Sequence, residues 1–564
     1  MYQTEIIGAI LIFALTIAFA WPLGSHIVKV FQGEKNFIGF MKPVENLIFK
    51  VGGVDPTSEM DWKQNMKAML GLNILFFVFA FLIMTLQGFI KFWNPVGIGN
   101  WEATQAFNTA ISFMTNTNLQ HYSGETQASY FTQLGVFAWL QFVSAGTGIA
   151  ACALLFQGLV NKSTTKLGNF YNLWLKSCTR ILLPLAIILS LVLTFNGTTT
   201  NFEGLQEVTT LEGEIQMVAG GPTAPMVSIK QLGTNGGGFF GPNSTHPFEN
   251  PNYLTNMAEN IAILLIPMAL VFAFGIYLRR RRLSYYIFGV MALFFIGFFA
   301  ISASQEVIGN PRFADMGLEQ TANMEGKEVR FGPVASSLWG VSTTATSNGS
   351  VNSMHDSHTP LSGGIFMLDM MINAIFGGVG VGFINFFIYM VIAVFIAGQM
   401  IGRTPDFLGK KLESKEIKIA ALVLILHPLL ILGGTALSSY LLTNDPDLGW
   451  LNNPGFHGLS EMMYEFTSSS ANNGSGFEGL GDNTPFWNIA NGIVMLLARF
   501  IPIIGPLAIA GSLSAKKFVP ESSGTLKLDT PAFATVLFAI ILIVSALAFF
   551  PALALGPIAE YFTL

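Results

Sequence analysis

Thr115-Asn116-Thr117-Asn118, Thr234-Asn235-Gly236-Gly237-Gly238, Ser347-Asn348-Gly349-Ser350 and Asn472-Asn473-Gly474-Ser475-Gly476 are four copies of one short polar signal, each set between two long apolar runs. With Asn116, Asn235, Asn348 and Asn473 aligned, the copies recur roughly every 120 residues, too long a period for a solenoid. A single Asn-Gly or Gly-Gly-Gly is an ordinary turn signal. Four of them between apolar runs predict a repeated unit, and four units in one chain predict a pseudo-fourfold object with an axis.

Composition sets the class. Charged residues are 11% of the chain, against roughly 25% in an average soluble domain, and apolar residues are 51%. This is the composition of a polytopic membrane protein, and no nucleic-acid partner is expected. Apolar stretches of at least about 18 residues fall near 6–30, 68–92, 128–158, 173–195, 253–278, 283–302, 364–400, 416–443, 485–513 and 531–555, which predicts ten spans. The chain opens Met1-Tyr2-Gln3-Thr4-Glu5 without a basic leader, so the first span reads as a retained helix rather than a signal peptide. Cys152 and Cys178 fall at predicted span ends on one side and imply no disulfide framework.

Lys and Arg concentrate in short cytoplasmic loops. Here they cluster after span 1 (Lys29 to Lys67), span 3 (Lys162 to Arg180), span 5 (Arg279 to Arg282), span 7 (Arg403 to Lys418) and span 9 (Lys516 to Lys527). Both termini and all four polar signals are therefore expected on the outer side. The expected fold is an all-α polytopic membrane protein of ten transmembrane helices, with four pseudo-symmetric helix, pore loop, helix repeats and one extra helix at each end. The expected partition is 1–66 for the first helix and its cytoplasmic loop, 67–160, 161–280, 281–402 and 403–514 for the four repeats, and 515–564 for the last helix.

Non-helical backbone at membrane depth must be buried in protein or line a watery cavity, so four such loops on one side imply one shared cavity. Candidate pore helices precede them at Trp101–Met114, Ala224–Leu232, Pro333–Ala345 and His457–Ser470. Their C-terminal ends, each worth roughly half a negative charge, favour a cation at the centre. A run of carbonyls facing one axis demands positive φ, which Gly adopts freely and Asn tolerates. Gly236 to Gly238, Gly349, Gly474 and Gly476 suit that demand, whereas the first loop has only Thr and Asn. Filters of potassium channels are built from four loops of this kind.

Thr115-Asn116-Thr117-Asn118-Leu119-Gln120, Leu232 to Phe240, Met354-His355-Asp356-Ser357, Ile401-Gly402-Arg403-Thr404-Pro405 and Ser470 to Ser475 together resemble the KdpA family, the potassium-binding subunits of bacterial potassium-transporting ATPases, over nearly the whole chain. The resemblance implies a non-catalytic subunit in the bacterial cytoplasmic (inner) membrane. Such a subunit captures external potassium as substrate, holds no covalent cofactor, and passes the ion to a P-type ATPase subunit (KdpB-like) that uses the ATP. Membrane lipid, a single-span accessory subunit (KdpC-like) and a small stabilising subunit (KdpF-like) complete the implied surroundings. The chain itself has neither a GxxxxGK[ST] phosphate loop nor an Asp-Lys-Thr-Gly phosphorylation signature, and its cytoplasmic loops are too short for a nucleotide domain.

By the same resemblance the potassium filter is Thr115, Asn116, Thr117 and Asn118; Thr234, Asn235 and Gly236; Thr346, Ser347, Asn348 and Gly349; and Asn472, Asn473 and Gly474, with Gln120 at the filter mouth. A gate or pore lining is implied at Gly377, Gly378, Gly380 and Gly382, and at Arg499. Glycines so dense within a membrane helix cost up to about 1 kcal/mol each relative to Ala, which fits a helix break; close packing of small residues is the plainer reading. Arg499, mid-span, must face the interior, either repelling potassium or pairing structurally. The chain departs from the family pattern at Leu119, Asn348 and Asn373.

His355 and His358 flank Asp356 in a metal-like cluster, but they follow the third loop in an outside segment and zinc wants three or four ligands, so potassium is the only metal expected. Arg279 to Arg282 suits an inner-face anchor near anionic lipid, and the polar stretches 196–222 and 303–332 suit solvated outer caps. The competing function is a self-sufficient channel or symporter of the Trk or HKT kind. A receptor or structural protein leaves the four loops unexplained.

Overall fold

The protein, described by a computed structural model over residues 2–36, 38–312, 316–318, 322–402, 405–518 and 527–564, is mostly helical with little sheet. Arg403 and Thr404, and parts of 303–332, lie outside the described residues. Among the described residues ten helices are long and apolar enough to cross a membrane: Gln3–Gln32, Trp62–Phe89, Thr132–Val160, Phe170–Phe195, Tyr253–Tyr277, Arg281–Ile308, Val381–Met400, Ser414–Asn444, Pro485–Ala515 and Pro531–Thr563, here spans 1 to 10. The chain is a multi-pass membrane protein.

Local chemistry starts these helices where they start. Asp61 accepts the Gln64 backbone N–H at 2.9 Å while the Gln64 side chain accepts that of Asp61 at 2.9 Å, a reciprocal cap that opens span 2. Asn252 and Thr255 do the same for span 5. Pro485 and Pro531 open spans 9 and 10, where a first-turn N–H would have no partner anyway.

Burial sorts the spans into two shells. In spans 3, 5, 7 and 9 between 61% and 89% of the apolar stretch is buried, whereas in spans 2, 4, 6 and 8, and in spans 1 and 10, it is 22% to 39%. Outer and inner helices therefore alternate along the chain from span 2 to span 9. Small residues make the inner shell tight, as in the buried run Ala145 to Ala151 of span 3. Span 1 lies along span 5 so closely that a Cβ on Gly24 would fall 2.7 Å from the Ala269 carbonyl oxygen. Span 10 packs on spans 6 and 7.

The apolar stretch 364–400 forms two helices. Pro360–Ile372 ends at Asn373 in the left-handed conformation, and span 7 begins only at Val381. Two short antiparallel ribbons depart from an all-helical chain: Gln206–Thr209 with Ile215–Val218, inside the expected cap, and Asp406–Phe407 with Lys410–Lys411. Cys152 lies inside span 3 rather than at its end, and both cysteines are free.

On the basic side, Glu45 from the segment after span 1 is buried against Arg180 of span 4. The Arg180 Nε donates to Glu45 Oε1 at 2.7 Å, a second guanidinium nitrogen meets the other oxygen, and the Thr179 hydroxyl adds a bond at 2.7 Å. Breaking such a pair by removing one partner leaves a buried charge uncompensated. Glu45→Gln is expected to destabilise the detergent-solubilised chain by about 3 kcal/mol, read as a lower melting temperature, and Glu45→Gln with Arg180→Met to recover most of it. Identical melting of Glu45→Gln and the parent would contradict the assignment.

Candidate functional site

Four short buried helices enter the interior of the inner shell: Ala103–Met114, Thr223–Leu232, Pro333–Ala345 and Phe456–Ala471. Carboxylates hold two of their N-termini. Glu102 accepts the backbone N–H of Thr104 and Gln105 at 2.7 and 2.9 Å, and Glu5 of span 1 reaches across to accept those of Val334 and Ala335 at 2.8 and 3.2 Å.

At the other end each helix turns into its loop by the same bond. The backbone N–H of Thr117, Asn235, Asn348 and Asn473 donates to the carbonyl five residues back, Ser112, Lys230, Thr343 and Ser468, at 2.9 Å in all four. The residue before each is left-handed (Asn116 φ 65°, Thr234 45°, Ser347 48°, Asn472 51°), and so is the residue after (Asn118 57°, Gly236 84°, Gly349 92°, Gly474 105°). Alignment on the asparagines therefore places the first copy one residue out of register: Thr117, not Asn116, is the counterpart of Asn235, Asn348 and Asn473. Gly237, Gly238 and Gly476, expected at positive φ, do not adopt it.

The loops close into a ring in chain order. A Cβ on Gly236 would lie 2.0 Å from the Asn348 carbonyl oxygen, one on Gly349 2.2 Å from that of Asn473, and one on Gly474 2.0 Å from that of Thr117. Only glycine fits, for space as well as φ. Asparagine side chains tie neighbours together: Asn116 Nδ2 donates to Thr234 O at 2.8 Å, Asn473 Nδ2 to Thr343 O at 2.8 Å, Asn348 Nδ2 to Lys230 O at 3.3 Å and Asn472 Nδ2 to Thr117 Oγ1 at 2.9 Å. Thr115 and Thr346 turn their hydroxyls back onto Ile111 O and Ser342 O and serve the helix ends. Thr117, Asn235, Asn348 and Asn473 are fully buried, yet among the described residues no hydrogen bond reaches their carbonyl oxygens. Buried carbonyls are ordinarily paired.

Outside the ring, Gln120 exchanges bonds with Gly238, accepting its N–H at 2.8 Å and donating to its carbonyl at 3.1 Å, so it clamps the first loop to the second. Several supports escaped the motif reading. Asn243 donates to Gly236 O at 2.6 Å and accepts from Lys230 Nζ at 2.9 Å, and the fully buried Lys230 also pairs with Glu249. Gln141 and Ser144, polar positions in the apolar run of span 3, bond Asn118 and Asn116 at 3.0 and 2.9 Å. A lone Lys and a polar stripe in apolar segments were the available signals.

Beneath the ring runs the 373–380 segment. Val379 N–H donates to Thr234 Oγ1 at 2.9 Å, Gly377 N–H to Ala345 O at 2.9 Å, and Ser347 Oγ bonds Asn373 Oδ1 at 3.0 Å. Gly377 and Gly380 are left-handed while Gly378 and Gly382 are not; Gly382 is needed for space, since a Cβ there would fall 2.1 Å from Gly377 Cα. Arg499 is buried at the same level. Its Nη2 lies 3.5 Å from Ser144 O and 3.2 Å from where a Gly148 Cβ would be, and among the described residues no carboxylate pairs with it.

His121, just past Gln120, stands between Asn488 Oδ1 at 2.7 Å and Glu465 Oε1 at 3.1 Å. Burial alone pushes its imidazole toward the neutral form, but Asp482, 30% exposed at 3.9 Å, and Glu465 more than offset this and lift it to about 9. A folded-state value above the unfolded one means this stabilisation is full below about pH 6.5 and is lost as pH rises through about 9. The melting temperature of the parent chain is therefore expected to fall between pH 7 and about pH 9, and His121→Gln to flatten that slope; an equally steep slope in the variant would count against the assignment. Gly349→Ala, at a position closed by both φ and the Asn473 carbonyl, is expected to destabilise the chain by at least about 1 kcal/mol in thermal melting, and parental melting would show that the ring has slack.

Comparison with known proteins places the chain. The family model described as "Potassium-transporting ATPase A subunit" (KdpA) matches residues 10–562. The potassium-transporting ATPase potassium-binding subunit of Flavobacterium johnsoniae is 55% identical over 573 residues, that of Bacteroides fragilis 55% over 568, each covering 100% of both chains. That of Geobacillus kaustophilus is 45% identical over 555 residues, covering 98% of both. Among solved structures, the potassium transporter TrkH from Vibrio parahaemolyticus shares the fold, with a TM-score of 0.51, 12% identity and coverage of 89% of this chain and 97% of that one. The chain belongs to the KdpA family, the A subunits of potassium-transporting ATPases.

Proposed function

We propose that the ring formed by the four loops is a potassium selectivity filter. The observation behind this reading is the set of four equivalent, buried carbonyl oxygens, of Thr117, Asn235, Asn348 and Asn473, that receive no hydrogen bond. A dehydrated monovalent cation supplies what they lack, because carbonyl dipoles replace its hydration shell. The C-terminal ends of the four short helices add a favourable field for a cation, and anions are repelled. The neighbouring filter residues act by shaping this ring, through the left-handed backbone of Asn116, Thr234, Ser347 and Asn472 and the open glycines. Gln120 sets the ring's outer rim.

The ion then passes below the ring toward the 373–380 segment. In this reading Gly377, Gly378, Gly380 and Gly382 let that segment lie across the path as a gate, and Arg499 raises an electrostatic barrier beneath it. The driving energy comes from a KdpB-like P-type ATPase subunit, with KdpC-like and KdpF-like subunits in the same complex, and the chain hydrolyses no ATP. The complex sits in the bacterial cytoplasmic membrane with both termini of this chain and the ring mouth outside. A self-sufficient Trk-like channel or symporter remains the competing mechanism, since it needs the same four loops.

Purification in mild detergent from potassium-starved cells is expected to yield co-purifying subunits and potassium-stimulated, vanadate-sensitive ATP hydrolysis. Gly236→Ala is expected to raise the half-saturating potassium concentration at least about tenfold, equivalent to about 1.4 kcal/mol, with melting behaviour measured alongside. Potassium conduction by the lone chain in liposomes, with no ATPase partner, would establish the competing mechanism instead. Arg499→Gln in the complex is expected to raise the ATP-independent potassium leak into liposomes, and an unchanged leak would remove Arg499 from the barrier.

A further inference from the structure

We infer that Asp356, His457 and Glu461 form an outer-face binding site for a divalent transition cation of the zinc class. The His355-Asp356-Ser357-His358 stretch does not act as one cluster. His355 Nδ1 meets the Tyr464 hydroxyl at 2.8 Å and His358 meets Ser353 Oγ at 3.0 Å and Glu306. Asp356 turns to the first turn of the fourth short helix, where its Oδ1 lies 2.9 Å from His457 Nε2. Glu461 stands four residues further along that helix, one turn from His457 and on the same face. One donor atom from each of the three residues lies within 4.8 Å of the others, so modest side-chain adjustment brings them onto one ion.

Three independent features point to a ligand. Glu461 is fully buried, and while its Oε1 accepts from Asn453 N and Nδ2 at 3.1 and 3.3 Å, its Oε2 has no hydrogen-bond partner. A buried carboxylate oxygen in that state is open to a cation. Gly479 leaves the space open: a Cβ there would lie 2.6 Å from Glu461 Oε1 and 2.7 Å from Asp356 Oδ2, filling the gap where the carboxylates converge. Finally, Glu560 of the C-terminal helix holds His457 Nδ1 at 2.9 Å. A carboxylate on the far nitrogen of a metal-binding histidine fixes the ring and raises its basicity.

The donor set selects the ion. One imidazole nitrogen and two carboxylates suit zinc with a water in the fourth position, whereas calcium, magnesium and potassium prefer all-oxygen shells. A cavity of about 890 Å³ lined by Asp356, His457, Asn453 and Glu560 opens onto the cluster and offers entry. Binding takes the neutral imidazole, so the proton on His457 Nε2 leaves to solvent as the nitrogen bonds the ion. The occupied site staples the segment after the third loop, the fourth short helix and, through Glu560, the C-terminus.

The test uses the full chain in its purified complex, stripped with a chelator, loaded with Zn²⁺ or Co²⁺ and dialysed. Retention of one zinc per chain by elemental analysis, the visible absorption of four-coordinate Co²⁺, and at least a tenfold loss of zinc affinity in Glu461→Gln and in His457→Gln are expected, each variant checked for parental melting in chelator. Should Glu461→Gln not fold, the His457→Gln comparison decides alone. A parent that retains no zinc, or variants that retain as much as the parent, overturns the site.

Discussion

Four backbone carbonyls buried without a donor are the constraint on which the rest of this molecule depends. An unpaired polar group away from water costs several kcal/mol, and in a membrane interior no water arrives to help. Such a ring persists only if the surroundings over-determine it. Here each loop is fixed at its root by the same turn bond onto its short helix and at its flanks by asparagine bonds to the neighbouring unit, and the first two loops are held from behind by the polar stripe Gln141 and Ser144 of span 3.

The backbone pattern is fourfold while the support behind it is not. Three loops place glycine at the second left-handed position, but the first places Asn118, whose side chain Gln141 holds. Lys230, Asn243 and Glu249 form a buttress behind the second loop. Span 1 caps the third short helix with Glu5, and the His121–Glu465 contact joins the first loop to the fourth short helix. In the proposed filter an ion meets the carbonyls and is indifferent to the side chains, so each unit could settle its own packing once the ring was kept.

That indifference also explains what could be read from the amino acids and what could not. All ten spans were legible because apolar length is a strong signal, with ends agreeing to within a few residues for most of them. The four short helices were legible because each leads into a repeated polar turn. The register of the first loop was not, because Thr117 occupies a position filled elsewhere by asparagine and the backbone bond that defines it leaves no mark on residue type. Gly237, Gly238 and Gly476 looked like positive-φ residues but follow the ring rather than form it. The Lys230 network was hidden for a different reason, since its partners are 13 to 19 residues away and meet only after folding. Arg499 announced its own burial, but not that its guanidinium would meet a carbonyl of span 3.

The central claim is that the unpaired carbonyls hold a dehydrated potassium ion. X-ray diffraction from crystals of the complex grown in potassium, measured at long wavelength on either side of the potassium absorption edge, tests it most directly. The account predicts an anomalous peak on the ring axis, within bonding distance of the Thr117, Asn235, Asn348 and Asn473 carbonyl oxygens, that disappears when potassium is replaced by sodium. An empty ring in saturating potassium, or a peak coordinated by other groups, would contradict it.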